Sequence, residues 1–232
     1  MNKVAVITGG ARGIGKAIAK EFANLGVKVC IIDKLENNYY IGDISKEEVL
    51  IEFTNKVIKD YGKIDYLINN ACLSNGGLLN CSFEDFNYTL KVGVTAPFIL
   101  TKLFMNNFNL GGSIVNISST RHMMSQENTE SYSAAKGGII SLTHAMAVTL
   151  AGKVRVNSVS PGWIDTTDST FEDSDNLQHL VGRVGKPEDI VNVVMFLCSQ
   201  KSSFITGQDI IVDGGMTKLM IYNDDKGWKF EG

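Results

Sequence analysis

Three observations predict an α/β fold with a doubly wound, mostly parallel sheet in one domain. Short β-branched or apolar runs alternate with amphipathic stretches along the whole chain. A glycine-rich turn, Thr8–Gly15, separates the first such run from the first amphipathic stretch. No repeat, low-complexity segment or linker divides residues 1–232, a length that suits one large core and is short for two.

Taken in order, Val4–Thr8 reads as a strand because it is short and β-branched, and Lys16–Leu25 as a helix because its apolar residues share one face. Val27–Asp33 and the brief Tyr39–Ile41 are apolar strands. Lys46–Tyr61 gathers Val49, Phe53, Val57 and Ile58 on one helical face. Tyr66–Asn69 is a strand, and Phe83–Asn106 is one long helix or two joined, ended by a break at Gly111-Gly112. Strand Ser113–Ser118, helix Glu130–Leu150, strand Val154–Val159, helix Pro187–Cys198 and strand Asp209–Val212 complete the alternation. Residues 216–232 form a tail past the last strand.

Composition narrows the function. The chain is 44% hydrophobic and 20% charged, with a net charge of −3; phosphate-rich polymers call for a basic face, so nucleic acid is not the expected partner. Cys30, Cys72, Cys81 and Cys198 are scattered without C-x-x-C spacing and read as reduced thiols. His122, His144 and His179 form no ligand cluster, so no metal is expected. Met1-Asn2-Lys3 leads straight into a strand, leaving no room for a signal peptide, and no apolar run reaches membrane-spanning length. A soluble cytoplasmic protein is the expectation.

Two motifs carry chemistry. Glycines in Thr8-Gly9-Gly10-Ala11-Arg12-Gly13-Ile14-Gly15 allow a tight turn and close approach to a pyrophosphate at a helix N-terminus. Asp33, 18 residues after Gly15, ends the second strand, where a carboxylate accepts from both ribose hydroxyls and repels a 2′-phosphate. NAD is therefore favoured, while Arg12 and Lys34 keep NADP open. Tyr132 and Lys136 lie one helical turn apart, and a fixed cation beside a phenol favours the phenolate, which suits proton exchange with an alcohol or carbonyl oxygen.

With these motifs in place, the chain resembles the short-chain dehydrogenase/reductase family over nearly its whole length. The matches are Thr8–Gly15, Asn69-Asn70-Ala71, Ser119, Tyr132 with Lys136, Asn157, Pro161-Gly162 and Val212-Asp213-Gly214-Gly215. The resemblance implies a Rossmann-type sheet and an NAD(P)-dependent oxidoreductase that interconverts a secondary alcohol and a ketone. It implies Ser119 as substrate-orienting serine, Tyr132 as general acid/base and Lys136 as its partner and holder of the nicotinamide ribose. It places Gly9, Arg12, Gly13, Ile14 and Gly15 at the pyrophosphate, and Asp33 at the ribose. Asp43, with Ile44, falls at the adenine, and Asn69, Asn70 and Ala71 along the adenosine. Pro161, Gly162, Ile164 and Thr166 would surround the nicotinamide. It also implies a homotetramer or homodimer built on two long helices. An enoyl reductase of the same superfamily is disfavoured by the three-residue gap between Tyr132 and Lys136.

Three departures from the family pattern stand out. The family's asparagine in V-N-x-T-x-x-F is Gly93, which gives the one argument for a runner-up: a nucleotide-binding regulator with weakened catalysis. The glycine after Asn-Asn-Ala is Cys72. Asp33 and Asp43 are ten positions apart, whereas a parallel crossover takes about a dozen residues, so the helix between strands two and three should be missing and the adenine edge exposed. Arg121 and His122, just after Ser119, could touch a substrate carboxylate or face water, with water favoured. Residues 165–182 would form an acidic substrate loop, and the tail aromatics Tyr222, Trp228 and Phe230 would dock on a neighbouring subunit.

Overall fold

Seven parallel strands form one sheet in the computed structural model, which describes residues 3–229. They are β1 (Val4–Thr8), β2 (Lys28–Asp33), β3 (Tyr40–Ile41), β4 (Ile64–Asn69), β5 (Phe108–Ile117), β6 (Val154–Pro161) and β7 (Asp209–Val212), in the order β3-β2-β1-β4-β5-β6-β7. Strand order reverses between β1 and β4. A crevice opens at such a switch point, beyond the carboxyl ends of the strands, and ligands of doubly wound sheets bind there.

Both faces of the sheet are covered, which is why its central strands read as unbroken apolar runs. Successive residues of β1 point to opposite faces. Ala5 and Ile7 pack with Ile18 and Phe22 of α1 (Gly13–Asn24) and with Ile190 and Val194 of α7 (Pro187–Leu197). Val4 and Val6 join Phe53 of α2 (Glu47–Tyr61), Leu100 of α4 (Ala96–Phe104) and Met146 of α5 (Glu130–Thr149). Both clusters contain fully buried Phe side chains, Phe22 in one and Phe53 and Phe104 in the other.

The missing helix is confirmed. Residues 34–39 run directly from β2 to β3, which pair in parallel through Ile32↔Tyr40 and Asp33↔Ile41. One side chain makes so short a return work. Asn37 Oδ1 accepts from the Tyr39 and Tyr40 amides at 2.9 Å, while its Nδ2 donates to the Leu35 and Tyr40 carbonyls at 3.0 and 2.9 Å. Those bonds satisfy backbone groups that a crossover helix would otherwise have paired.

Two boundaries differ from expectation. Gly111-Gly112 lies inside β5: pairing with β4 shifts between Ile64↔Phe108 and Tyr66↔Ser113, so the glycines absorb surplus residues as an irregularity in one strand. Gly111 takes φ +79°, a backbone only glycine adopts without strain. The stretch after Phe83 divides into α3 (Phe83–Leu90), one π-helical turn at Lys91–Thr95, and α4. Within the expected substrate loop lies a short helix, α6 (Asp173–Leu177).

Candidate active site

A cavity of about 690 Å³ follows the carboxyl ends of β1, β2 and β4. Ten of the residues assigned to the cofactor from sequence are in its wall: Gly9, Arg12, Gly13, Ile14, Asp33, Asp43, Ile44, Asn70, Ala71 and Thr166. The turn is fixed from beneath. Thr8 Oγ1 accepts from the Asn70 and Ala71 amides at 3.0 Å, and Asn70 Nδ2 donates to the Gly9 carbonyl at 2.9 Å. Gly15 is buried rather than lining the cavity, and a Cβ there would collide with the Gly9 carbonyl. Its role is close packing of turn on helix. Gly9, at φ +68°, would bring a Cβ to 2.9 Å from Ala71 Cα.

The remaining assignments fall elsewhere. Asn69 is buried and does not line the cavity; its Nδ2 donates to Asn116 Oδ1 and Asn116 Nδ2 to Thr143 Oγ1, both at 2.8 Å, tying β4, β5 and α5 together. Pro161 is the last residue of β6, and Ile164 packs against the α1–α7 face of the core. Gly162 lines the second cavity described below.

At the end of this cavity beside β2 and β3, Asp33 Oδ2 accepts from the Ala11 amide and Oδ1 from the Leu35 amide, each at 3.0 Å, so the carboxylate is held at the tip of β2. Sequence reasoning missed Tyr88 of α3. Its hydroxyl donates to both Asp43 oxygens at 3.1 and 3.2 Å and accepts from Lys34 Nζ at 3.0 Å. Lys34 also stands 3.6 Å from Asp43 Oδ2. Burial works against the Asp43 carboxylate, but hydrogen bonds from Ser45 and Tyr88 and the Lys34 charge outweigh it and hold its pKa below the ordinary value. Because α3 lies 54 residues beyond Lys34, only the tertiary structure shows this contact.

Two of the catalytic candidates, Tyr132 and Lys136, lie together where β5 ends against α5. Lys136 is buried; its Nζ donates to the Ile117 carbonyl at 2.7 Å and lies 5.3 Å from the centroid of the Tyr132 ring. Ser118 Oγ donates to the Lys136 carbonyl at 2.8 Å, which pins the helix to the strand. The next residue, Ser119, lines a second cavity of about 570 Å³. Neither Tyr132 nor Lys136 is in the wall of either cavity. Tyr132 is half-buried, and among the described residues nothing hydrogen-bonds its hydroxyl.

Arg121, expected to face water, lines this second cavity and donates from Nη2 to Gln126 Oε1. His122 Nδ1 is 2.7 Å from the Ser119 carbonyl oxygen. Trp228, expected on a neighbouring subunit, is in the same wall. Met220 and Tyr222 remain exposed, and Phe230 lies outside the described residues.

Comparison with known proteins places this geometry. Residues 9–217 match the family model described as enoyl-(acyl carrier protein) reductase. An uncharacterized oxidoreductase of Thermotoga maritima is 38% identical, covering 96% of this chain and 98% of its own. An apo SCOR enzyme from Clostridium thermocellum superposes with a TM-score of 0.92 at 42% identity, over 100% of this chain and 99% of that one. Ligand-free aldohexose dehydrogenase of Thermoplasma acidophilum gives 0.89 at 28%, over 97% and 98%. A 3-ketoacyl-(acyl-carrier-protein) reductase from Brucella melitensis, complexed with NADH, gives 0.83 at 31%, over 93% and 98%. Sheet order, glycine turn and full-length likeness agree: the chain belongs to the short-chain dehydrogenase/reductase family and is an NAD(P)-dependent oxidoreductase acting on CH–OH or keto groups.

Proposed function

We propose that the chain interconverts a secondary alcohol and a ketone with Tyr132 as general acid/base, and that its coenzyme is NAD. The observation that carries this reading is the pinned junction of β5 and α5, which holds Lys136 Nζ against the Ile117 carbonyl, two residues before Ser119. The glycine turn fits a dinucleotide: Gly9, Arg12, Gly13 and Ile14 line the cavity at the N-terminus of α1, and the missing Cβ atoms at Gly9 and Gly15 let the turn pack tightly on Ala71 and on its own Gly9 carbonyl. The acidic Asp33 at the ribose position favours NAD.

A nicotinamide held there would supply the redox chemistry, hydride acceptance from the carbinol carbon in oxidation and hydride donation to the ketone in reduction. The protein's own part is positioning and proton handling. Ser119 Oγ holds the substrate oxygen. The Tyr132 hydroxyl takes that oxygen's proton in oxidation and gives it back in reduction. Lys136, already anchored, holds the nicotinamide ribose. The three-residue gap between Tyr132 and Lys136 supports the alcohol–ketone reading over an enoyl one. Assembly as a homodimer or homotetramer on α4 and α5 belongs to the same proposal, since Phe98 and Val148 on these helices are 46% and 77% exposed.

NADH and NADPH binding by fluorescence, followed by an alcohol and ketone panel, tests the reading. Tyr132→Phe should lower kcat by about 10²–10⁴-fold with NADH binding retained. Binding without turnover of any substrate by the wild type would favour a nucleotide-binding regulator instead.

A further inference from the structure

The substrate of that reaction is left open by the family, whose members named above act on groups as different as 3-ketoacyl chains and aldohexoses. The cavity beside Ser119 is more specific. Its wall combines two indole rings, Trp163 and Trp228, with Arg121, Gln126, Asp175 and Gln178. These polar groups keep unused capacity. The Gln178 side-chain amide makes no hydrogen bond among the described residues, its backbone N–H alone being spent on the Asn176 carbonyl. Arg121 spends one N–H on Gln126 and pairs with no carboxylate among the described residues. Asp175 spends Oδ2 on the Glu172 amide at 3.1 Å, leaving Oδ1. Donors and acceptors are thus mixed, and the guanidinium and carboxylate cancel in charge.

We infer that this cavity takes a small, uncharged, hydroxyl-rich substrate, a polyol or sugar, with one C–OH at Ser119 and the chain's own tail residue Trp228 against its C–H face; the inference rests on the alcohol–ketone reading above. A hydroxyl both donates and accepts, so it can satisfy amide, guanidinium and carboxylate on one small ligand. An acyl chain would desolvate the same groups without pairing them, at about 1–3 kcal/mol for each. A polyanion would meet Asp175 and, close by in sequence, Asp165, Asp168, Glu172 and Asp173. Trp228 is set by the tail's own turn: the Asp224 amide donates to the Trp228 carbonyl at 2.7 Å, and the Trp228 amide to the Asp225 carbonyl at 2.8 Å.

The protein has two tryptophans, and both are in this wall, so indole emission reports occupancy directly. Hexoses, pentoses and linear polyols should alter the emission of the Tyr132→Phe protein with NAD⁺ bound. The wild type should oxidise them with kcat/KM at least roughly tenfold above that of apolar secondary alcohols. Trp228→Ala and Gln178→Ala should each raise KM for the polyol about tenfold, with NADH affinity unchanged. Turnover of apolar ketones or 3-oxoacyl thioesters, with polyols inert and without effect on emission, overturns the substrate class and leaves the alcohol–ketone reading standing. Polyols that change emission while no alcohol or ketone turns over support the binding class and overturn the reaction. If polyols neither bind nor react and nothing else turns over, both fall.

Discussion

At the residue scale, two departures from the family pattern are neighbours in space. Gly93 is buried in the π-helical turn before α4, and a Cβ there would lie 2.9 Å from Ala135 Cβ and 3.2 Å from Cys72 Sγ. Where the family has glycine and asparagine, this chain has Cys72 and Gly93: volume gained at one position is given up at its neighbour. Restoring asparagine alone should therefore cost stability before it changes chemistry, by about 1–3 kcal/mol from overpacking. Thermal unfolding of Gly93→Asn, Cys72→Gly and the double variant should show a favourable coupling of about 0.5 kcal/mol or more. Additive effects would mean that the two sites are independent. Turnover is informative only in the double variant, because the single one confounds strain with any effect of the side chain on catalysis. Both substitutions were visible in the sequence, but their compensation was not, since it depends on α5 passing beside residue 93. The proximity of Tyr132 and Lys136 was legible from spacing, because short-range helical geometry fixes it. Trp163 and Trp228 carried no such signal.

At the element scale, the bare connector after β2 changes what the adenosine end can do. The ten-position separation of Asp33 and Asp43 leaves no room for a helix, so that absence was legible from arithmetic alone. What replaces it was not: Tyr88 reaches from α3 to bond both Lys34 and Asp43, and Lys34 Nζ lies 5.3 Å from the Tyr88 ring centroid. These contacts keep the exposed Lys34 ammonium occupied beside Asp43, although it is in the cofactor cavity wall and could otherwise meet a 2′-phosphate. The contact that phenylalanine at 88 would remove is the hydrogen bond from Lys34 Nζ to the Tyr88 hydroxyl, which holds the ammonium by about 1 kcal/mol. Tyr88→Phe should thus narrow the proposed preference for NADH over NADPH roughly fivefold, without reversing it, because on that proposal Asp33 would still repel the phosphate. Titration of both coenzymes into wild type and variant measures the ratio. An unchanged ratio would leave Lys34 as a solvated cation with no part in selection.

At the scale of the whole molecule, three carboxylates fasten peripheral pieces to the sheet, and all three have pKa values below their ordinary 3.8. For Asp43, behind β3, burial pushes up but is outweighed as described above. For Asp189, at the start of α7, the bidentate Arg183 contact at 2.7 Å is the main cause, opposed by burial. For Asp213, burial again pushes up, and hydrogen bonds from Thr217 and Gly215 win; its oxygens accept from those amides at 2.8 and 2.9 Å, seating the tail that carries Trp228. The sign of the linkage follows. A carboxyl whose folded pKa is lower than its unfolded one lets the unfolded chain bind more protons in between, so stability falls as pH falls through that window. Urea unfolding midpoints should hold steady above the ordinary carboxylate value of 3.8 and drop progressively beneath it. Asp213→Asn should be less stable than wild type at neutral pH and should lose less on acidification, so that the two curves converge. Curves that stay parallel down to the acid limit would show that Asp213 does not hold the tail through its charge. The same variant would then also leave the cavity wall at Trp228 undisturbed.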